Sequence, residues 1–146
     1  MAVAGPGEAS AEERDAAEAV GRELARRGVV LVCGGLGGVM EAACRGAKQA
    51  GGTTVGILAG KDRSDANPFV DIAIATGLGQ ARNAVIVRAA DAVVAIGGGY
   101  GTLSEIALAL RRSKRVVGLG SWDIEGVEPA ASPEAAVAAV LGDSLT

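Results

Sequence analysis

The sequence predicts an α/β protein with a three-layer, Rossmann-like fold, in which a mainly parallel sheet carries helices on both faces. Short β-rich runs alternate with longer helical patterns along the chain, which is typical of βαβ units. Most of the β-rich runs are apolar at nearly every position, as expected when helices cover both faces of a sheet. The length of 146 residues suits one domain, so we expect residues 1–146 to form a single Rossmann-like unit.

Six strands are predicted from the apolar runs. They lie near Ala2–Ala4, Val29–Cys33, Thr53–Leu58, Asp71–Thr76, Ala92–Ile96 and Val116–Leu119. The polar stretch Ala59–Val70 between the third and fourth strands is predicted to be a long loop. Loops of this length are often lids or binding loops, although an inert surface loop is an equally good interpretation.

Five helices are predicted between and after the strands. The first begins at Ser10, because Ser10 and Glu13 have capping-box spacing, and it ends near Gly28. The second runs from about Val39 to Ala50, where two glycines stop it. The others are predicted at Ala81–Ala90, Thr102–Arg112 and Pro133–Leu141.

Composition excludes several classes of function. The net charge of −3 gives no global attraction to nucleic acid or to an anionic membrane, so we expect neither as a partner. No apolar run approaches the roughly 20 residues of a spanning helix and no signal sequence opens the chain, so we expect a cytoplasmic protein.

Histidine is absent, which removes Ser-His and Cys-His nucleophile systems. Cys33 and Cys44 lack Cys-x-x-Cys spacing, so we expect small buried residues and no metal site.

Glycine-rich turns follow three of the predicted strands. They are Gly5-Pro6-Gly7, the turn from Gly34 to Gly38, and the turn from Gly97 to Thr102. Because the carboxyl ends of parallel strands meet at one edge of a sheet, the three turns are expected to converge on one crevice. Bare backbone N–H groups at a helix N-terminus bind anions. Tight packing explains one such turn equally well, but three at one edge favour a phosphate-binding site.

The stretch from Gly79 to Leu110 carries a specific set of motifs. Ala81-Arg82-Asn83 is followed by Ala90-Asp91-Ala92, and the pattern G-G-x-G-T-x-x-E is then complete. Its members are Gly98, Gly99, Gly101, Thr102 and Glu105. This set resembles the signature of the Lonely-Guy superfamily, and the turn from Gly34 to Met40 is similar to that superfamily's first glycine-rich motif. The superfamily includes cytokinin-activating nucleoside 5′-monophosphate phosphoribohydrolases and molybdenum-cofactor carrier proteins.

The resemblance implies a set of site residues. In the phosphoribohydrolases an arginine and a glutamate are catalytic, and these positions match Arg82 and Glu105. The lysine that follows the arginine there is Asn83 here, and the proline before the two glycines is Gly97, which resembles the carrier branch. The ligand-binding residues implied are Gly35, Gly37, Arg82, Asn83, Gly98, Gly99, Tyr100, Gly101, Thr102 and Glu105.

Three functions remain open. The first is a carrier-type binding protein that requires no cofactor and holds a phosphorylated ligand, either molybdenum cofactor or a nucleoside monophosphate, without turning it over. The second is a phosphoribohydrolase that releases a free base and ribose 5-phosphate, although the sequence offers no obvious acid for the departing base. The third is a nucleotide-sensing module. The lysine decarboxylase label that some members carry is not supported, because no lysine here lies in a Schiff-base motif.

Structural roles compete with these functional ones. Thr102 and Glu105 have capping-box spacing, so the Glu105 carboxylate either caps the helix or lies beside a ribose. Arg82 is either a bidentate phosphate ligand or an exposed arginine at a helix start. The basic run at 111–115 is interpreted as a solvated helix end. The preceding helix, from Leu103 to Leu110, is apolar around most of its circumference, which predicts a homodimer or a dimer of dimers.

Overall fold

The computed structural model describes residues 1–142, and residues 143–146 of the predicted domain lie outside the described part. The seven strands are β1 (Ala2–Ala4), β2 (Leu31–Cys33), β3 (Thr54–Leu58), β4 (Ile72–Ala75), β5 (Ala92–Ile96), β6 (Arg115–Leu119) and β7 (Val127–Pro129). The five helices are α1 (Ala11–Arg26), α2 (Val39–Gln49), α3 (Arg82–Ala89), α4 (Tyr100–Arg111) and α5 (Pro133–Val140). Two short 3₁₀ turns lie at Arg63–Asp65 and Gly79–Ala81.

All seven strands form one parallel sheet in the order β4-β3-β2-β1-β5-β6-β7. The chain builds outward from β1 to β4 on one side and then returns to place β5 on the other side of β1. The strand order therefore reverses between β1 and β5, which is where open α/β sheets bind their ligands. The predicted Rossmann-like fold class is confirmed.

The two faces of the sheet are buried under different helices. Along β1 and β5, alternate residues point to opposite faces, as they must in a strand. Val3 and Val94 pack with residues of α1, α2 and α5, whereas Ala4 and Val93 pack with residues of α3 and α4. The three layers of the fold follow from this alternation.

Helices α1 and α2 pack with almost no space between their backbones. A Cβ atom added to Gly21 of α1 would overlap the carbonyl oxygen of Ala43 in α2. In the same way, a Cβ atom added to Gly46 of α2 would overlap the carbonyl oxygen of Glu18 in α1. The two glycines thus set the distance between the helices, which also bury Leu24 and Val39 against the sheet.

The element predictions hold for six strands and five helices, with ends that differ by up to two residues. The capping box at Ser10 is confirmed: Glu13 N–H donates to Ser10 Oγ at 3.1 Å, and Ser10 N–H donates to Glu13 Oε1 at 2.9 Å. Strand β7 was not predicted, because its three residues include Pro129, and proline is confined to strand ends and edges. The structure accommodates Pro129 because β7 is an edge strand and Pro129 is its last residue.

The interpretation of the basic run at 111–115 as a solvated helix end is wrong for Lys114, which makes contacts within the protein. Its Nζ atom donates to the carbonyl oxygens of Val87 at 2.6 Å, Arg88 at 3.2 Å and Ala90 at 2.6 Å, at the C-terminus of α3. The last carbonyls of a helix lack intrahelical partners, and an ammonium there satisfies them. Arg111 and Arg112 are exposed, as the interpretation expected.

Both cysteines are free and fully buried, as predicted, and their sulfur atoms lie 3.6 Å apart. Among the described residues, no helix is long and apolar enough to cross a membrane. The same part of the chain holds no group of three or more His, Cys, Asp or Glu side chains placed to bind a metal ion.

Candidate ligand-binding site

A cavity of about 450 Å³ lies at the carboxyl edge of the sheet, between the ends of β1 and β5. All three glycine-rich turns reach this edge, as the sequence predicted. The first and third turns line the cavity directly, and the second contributes Leu36. The lining residues are Gly5, Pro6, Gly7, Leu36, Met40, Ala59, Gln80, Arg82, Asn83, Gly99, Tyr100, Gly101, Thr102, Ser104 and Glu105.

Helix α4 presents its N-terminus to the cavity. Gly99 is the residue before the helix and has a φ angle of 104°, which a side chain would disfavour. No side chain caps the helix, so its first N–H groups are available to an anion. The predicted capping box of Thr102 and Glu105 is wrong, because α4 begins at Tyr100 and Thr102 is already its third residue.

Thr102 instead lines the cavity as the third residue of α4, and its hydroxyl is buried. The residue is 2% exposed, and its Oγ1 atom has no hydrogen-bond partner within the described chain. A buried hydroxyl without a partner costs about 1–3 kcal/mol. A ligand that bonded Oγ1 would remove that cost.

Arg82 is buried rather than exposed, which rules out the interpretation as a surface arginine at a helix start. It is 9% exposed, and Nη1 donates to the carbonyl oxygen of Ile57 at 3.4 Å. Its Nε atom has no partner among residues 1–142. A Cβ atom at Gly34 would overlap Nη1, so the absence of a side chain there gives the guanidinium its place.

Glu105 is the only carboxylate among the lining residues, and it is 8% exposed. Burial raises the pKa of Glu105 from its usual 4.5 to about 7, and the nearby positive charge of Arg82 acts in the opposite direction. Near neutral pH a substantial part of the population therefore carries a protonated, uncharged Glu105. The protonated form avoids charge repulsion with an anion in the same cavity.

Asn83 and Ser104 connect α3 to the first turn of α4. Asn83 Nδ2 donates to Ser104 Oγ at 2.9 Å, and that hydroxyl donates to the carbonyl oxygen of Gly101 at 2.8 Å. This chain of hydrogen bonds links the start of α3, where Arg82 is the first residue, to the N-terminus of α4.

Three of the predicted ligand-binding glycines are not among the lining residues. Gly35 lies against Gly56 and Leu58 of β3, Gly37 lies near the carbonyl oxygen of Gly7, and Gly98 is exposed. The other seven predicted residues all line the cavity: Arg82, Asn83, Gly99, Tyr100, Gly101, Thr102 and Glu105.

Several lining residues were missing from the predicted site. Pro6 and Gly7 belong to the first glycine turn, and Ser104 lies inside the G-G-x-G-T-x-x-E pattern. These two motifs could therefore have predicted that the three residues line the site. Gln80 lies two residues before Arg82. Met40 ends the first glycine-rich motif, Gly34 to Met40, so that motif indicated it as well, although a methionine at that helical position is also typical of a core residue.

The long loop between β3 and β4 is attached to the second glycine turn. Asn67 N–H donates to the carbonyl oxygen of Gly35 at 2.8 Å, and its Nδ2 atom donates to that of Leu36 at 2.9 Å. The loop also contains the 3₁₀ turn Arg63–Asp65, which was not predicted. Ala59, the first residue of the loop, lines the cavity.

The reversal of strand order, with a glycine-lined cavity and an uncapped helix N-terminus beside it, defines an open-sheet α/β protein of the Rossmann-like class. The chain belongs to the SLOG cluster4 family, whose model matches residues 1–141. The resemblance to the Lonely-Guy superfamily, near its molybdenum-cofactor carrier branch, is confirmed.

The solved structures that are similar over nearly the whole chain include two molybdenum cofactor proteins. The molybdenum cofactor binding protein of Rippkaea orientalis is 42% identical, with a TM-score of 0.92 and coverage of 97% of this chain and 94% of that one. The molybdenum cofactor carrier protein of Chlamydomonas reinhardtii is 38% identical, with a TM-score of 0.86 and the same coverage.

A plant relative matches over a shorter region. The probable cytokinin riboside 5′-monophosphate phosphoribohydrolase of Oryza sativa subsp. japonica is 38% identical over 98 residues. The match covers 64% of this chain and 42% of the rice protein.

Proposed function

We propose that this protein is a carrier-type binding protein that holds a phosphorylated, nucleotide-like ligand, with molybdenum cofactor as the leading candidate, and does not turn it over. One observation carries the proposal. Arg82 Nε and Thr102 Oγ1 are buried without partners in the described chain, and both residues line the same cavity. A phosphate group that accepted hydrogen bonds from both would satisfy them, together with the N–H groups at the start of α4.

The charges of the cavity support an anionic ligand. Arg82 supplies a permanent positive charge, and the N-terminus of α4 adds the positive end of a helix dipole. Glu105 opposes them only when ionised, and its raised pKa leaves a substantial part of the population neutral near pH 7. The similarity to the two molybdenum cofactor proteins supports a pterin ligand in particular.

We expect Arg82→Ala to weaken the binding of adenosine 5′-monophosphate, used as a phosphorylated probe, by about 1.5–3 kcal/mol. That is the range for a hydrogen bond to a charged group, and it corresponds to roughly 10- to 150-fold in the dissociation constant. Isothermal titration calorimetry measures the effect. Arg88→Ala is the matched control, because Arg88 lies on the same helix, is exposed and does not line the cavity. Equal affinities of the Arg82→Ala protein and the original would contradict the proposed site.

The phosphoribohydrolase remains the second candidate, because the structure supplies an acid that the sequence did not reveal. A carboxyl group with a pKa of about 7 is suited to proton transfer at neutral pH, and Glu105 lies in the cavity with Arg82. If the protein is a carrier, incubation with adenosine 5′-monophosphate should yield no adenine by chromatography. Adenine release that Glu105→Gln abolishes without loss of stability would replace the carrier proposal with the hydrolase.

We also propose that the protein self-associates as a homodimer or a dimer of dimers. Helix α4 buries Ile106 and Ala109 within its own chain, so less of it is free than the sequence suggested. The edge strand β4, however, leaves Ile72 50% exposed and Ile74 46% exposed, and a second copy would cover them. Light scattering at micromolar concentration should give a multiple of 14.3 kDa, and a stable monomer would reject self-association.

A further inference from the structure

We infer that Tyr100 and Trp122 form a stacking platform for the planar heterocyclic ring of the ligand, so that the ring and the phosphate are recognised by separate parts of the site. The inference depends on the proposed ligand-binding function and specifies how the ring is bound. It starts from the first residue of α4, Tyr100, which lines the cavity and is 84% exposed.

The exposure of Tyr100 is not explained by packing. A tyrosine contributes to a core by burying its ring, and this ring has one close aromatic neighbour and is otherwise open to the cavity mouth and to solvent. The ring of Trp122 stacks on it with a centroid distance of 6.3 Å and an angle of 25° between the planes. A second planar group can therefore lie against Tyr100.

Trp122 fixes the platform to the phosphate-binding turn. Its indole Nε1–H donates to the carbonyl oxygen of Gly99 at 3.1 Å, and Gly99 is the residue from which α4 starts. The indole is half-buried and packs against the core beneath α3 and α4. Trp122 is thus anchored on two sides, and its ring lies beside that of Tyr100 close to the N-terminus of α4.

The contact between Tyr100 and Trp122 is unusual for a chain with so few aromatic residues. The whole sequence contains one tryptophan, one tyrosine and one phenylalanine. Two of these three aromatic residues therefore stack on each other beside the cavity that Tyr100 lines, although core packing elsewhere is achieved mainly with aliphatic side chains. Aromatic side chains bind heterocycles by stacking with little dependence on the ring's hydrogen-bonding groups, so a purine and a pterin would both be accepted.

The test compares two probes that differ by the ring. Adenosine 5′-monophosphate carries a phosphate and a planar base, whereas ribose 5-phosphate carries the phosphate alone. We expect Tyr100→Leu to weaken the binding of adenosine 5′-monophosphate by roughly 5- to 100-fold and to leave ribose 5-phosphate unchanged. Tyr100→Phe is the matched control and should retain the affinity for both. Because Trp122 is the only tryptophan, its fluorescence should also change more with the first probe than with the second.

Each other outcome has a definite meaning. If Tyr100→Leu weakened the binding of both probes equally, Tyr100 would support the phosphate turn. If it weakened the binding of neither, the ring of the ligand would lie elsewhere. Both results would overturn the platform. An original protein that binds ribose 5-phosphate as tightly as adenosine 5′-monophosphate would overturn the platform alone. Binding of neither probe would overturn the proposed phosphate site and the platform together.

Discussion

The Gly21→Ala variant is expected to be less stable than the original protein by about 3 kcal/mol, at the upper end of the range for overpacking. The added methyl group meets the carbonyl oxygen of Ala43, which is backbone, so the clash can be relieved only by moving α1 away from α2. The higher helix propensity of alanine offsets about 1 kcal/mol of a still larger steric cost. Thermal unfolding followed by circular dichroism should show a midpoint lower by roughly 10 °C.

Gly101→Ala is the control for this experiment. Gly101 also lies within a helix, but a Cβ atom there would meet nothing within 4 Å. The control variant should therefore unfold at the same temperature as the original or higher. If Gly21→Ala were as stable as Gly101→Ala, the contact between α1 and α2 would not be as tight as the structure has it.

Glu105 should make the stability of the protein depend on pH. The folded state holds its proton up to about pH 7, whereas the unfolded chain releases it near 4.5. Between these values the folded state binds more protons, so stability is fully present below 4.5 and is lost as the pH rises through about 7. The difference between the two pKa values corresponds to about 3 kcal/mol in the free energy of unfolding.

The measurement is urea unfolding of the original protein and of Glu105→Gln at about pH 5 and about pH 8, where the difference between them should change by about 2–3 kcal/mol. Glutamine has no titrating group, so the variant reports the contribution of every other residue. Parallel behaviour of the two proteins across this range would show that the Glu105 carboxyl is ionised in the folded state despite its burial.

The order of the elements was predictable because each predicted element is identified by a local sequence pattern that does not depend on the tertiary structure. Apolar runs and the capping residues Ser10 and Glu13 identify strands and a helix start locally. Strand β7 could not be found in this way, because three residues that end in proline become a strand only when β6 is there to pair with them.

Most residues that line the candidate cavity were predictable from the sequence, but their local geometry was not. The motif correctly predicted that Arg82 and Glu105 lie on α3 and α4. Its capping-box spacing, however, predicted that α4 begins at Thr102. The actual start at Tyr100 depends on the conformation of Gly99, which a sequence pattern does not specify. The burial of Arg82 and the raised pKa of Glu105 depend on how α3 and α4 meet the sheet, and so they emerge only from the packed structure.

The contact between Lys114 and the C-terminus of α3 has a consequence for binding affinity. Helix α3 is eight residues, or about 12 Å, long, and Arg82 is its first residue. The ammonium of Lys114 holds one end, and the hydrogen bond from Asn83 to Ser104 holds the other. The start of α3 is thereby held in place, and the buried Arg82 side chain, which donates to Ile57, has little rotational freedom left to lose. If the proposed phosphate ligand binds there, more of the electrostatic attraction is retained as affinity.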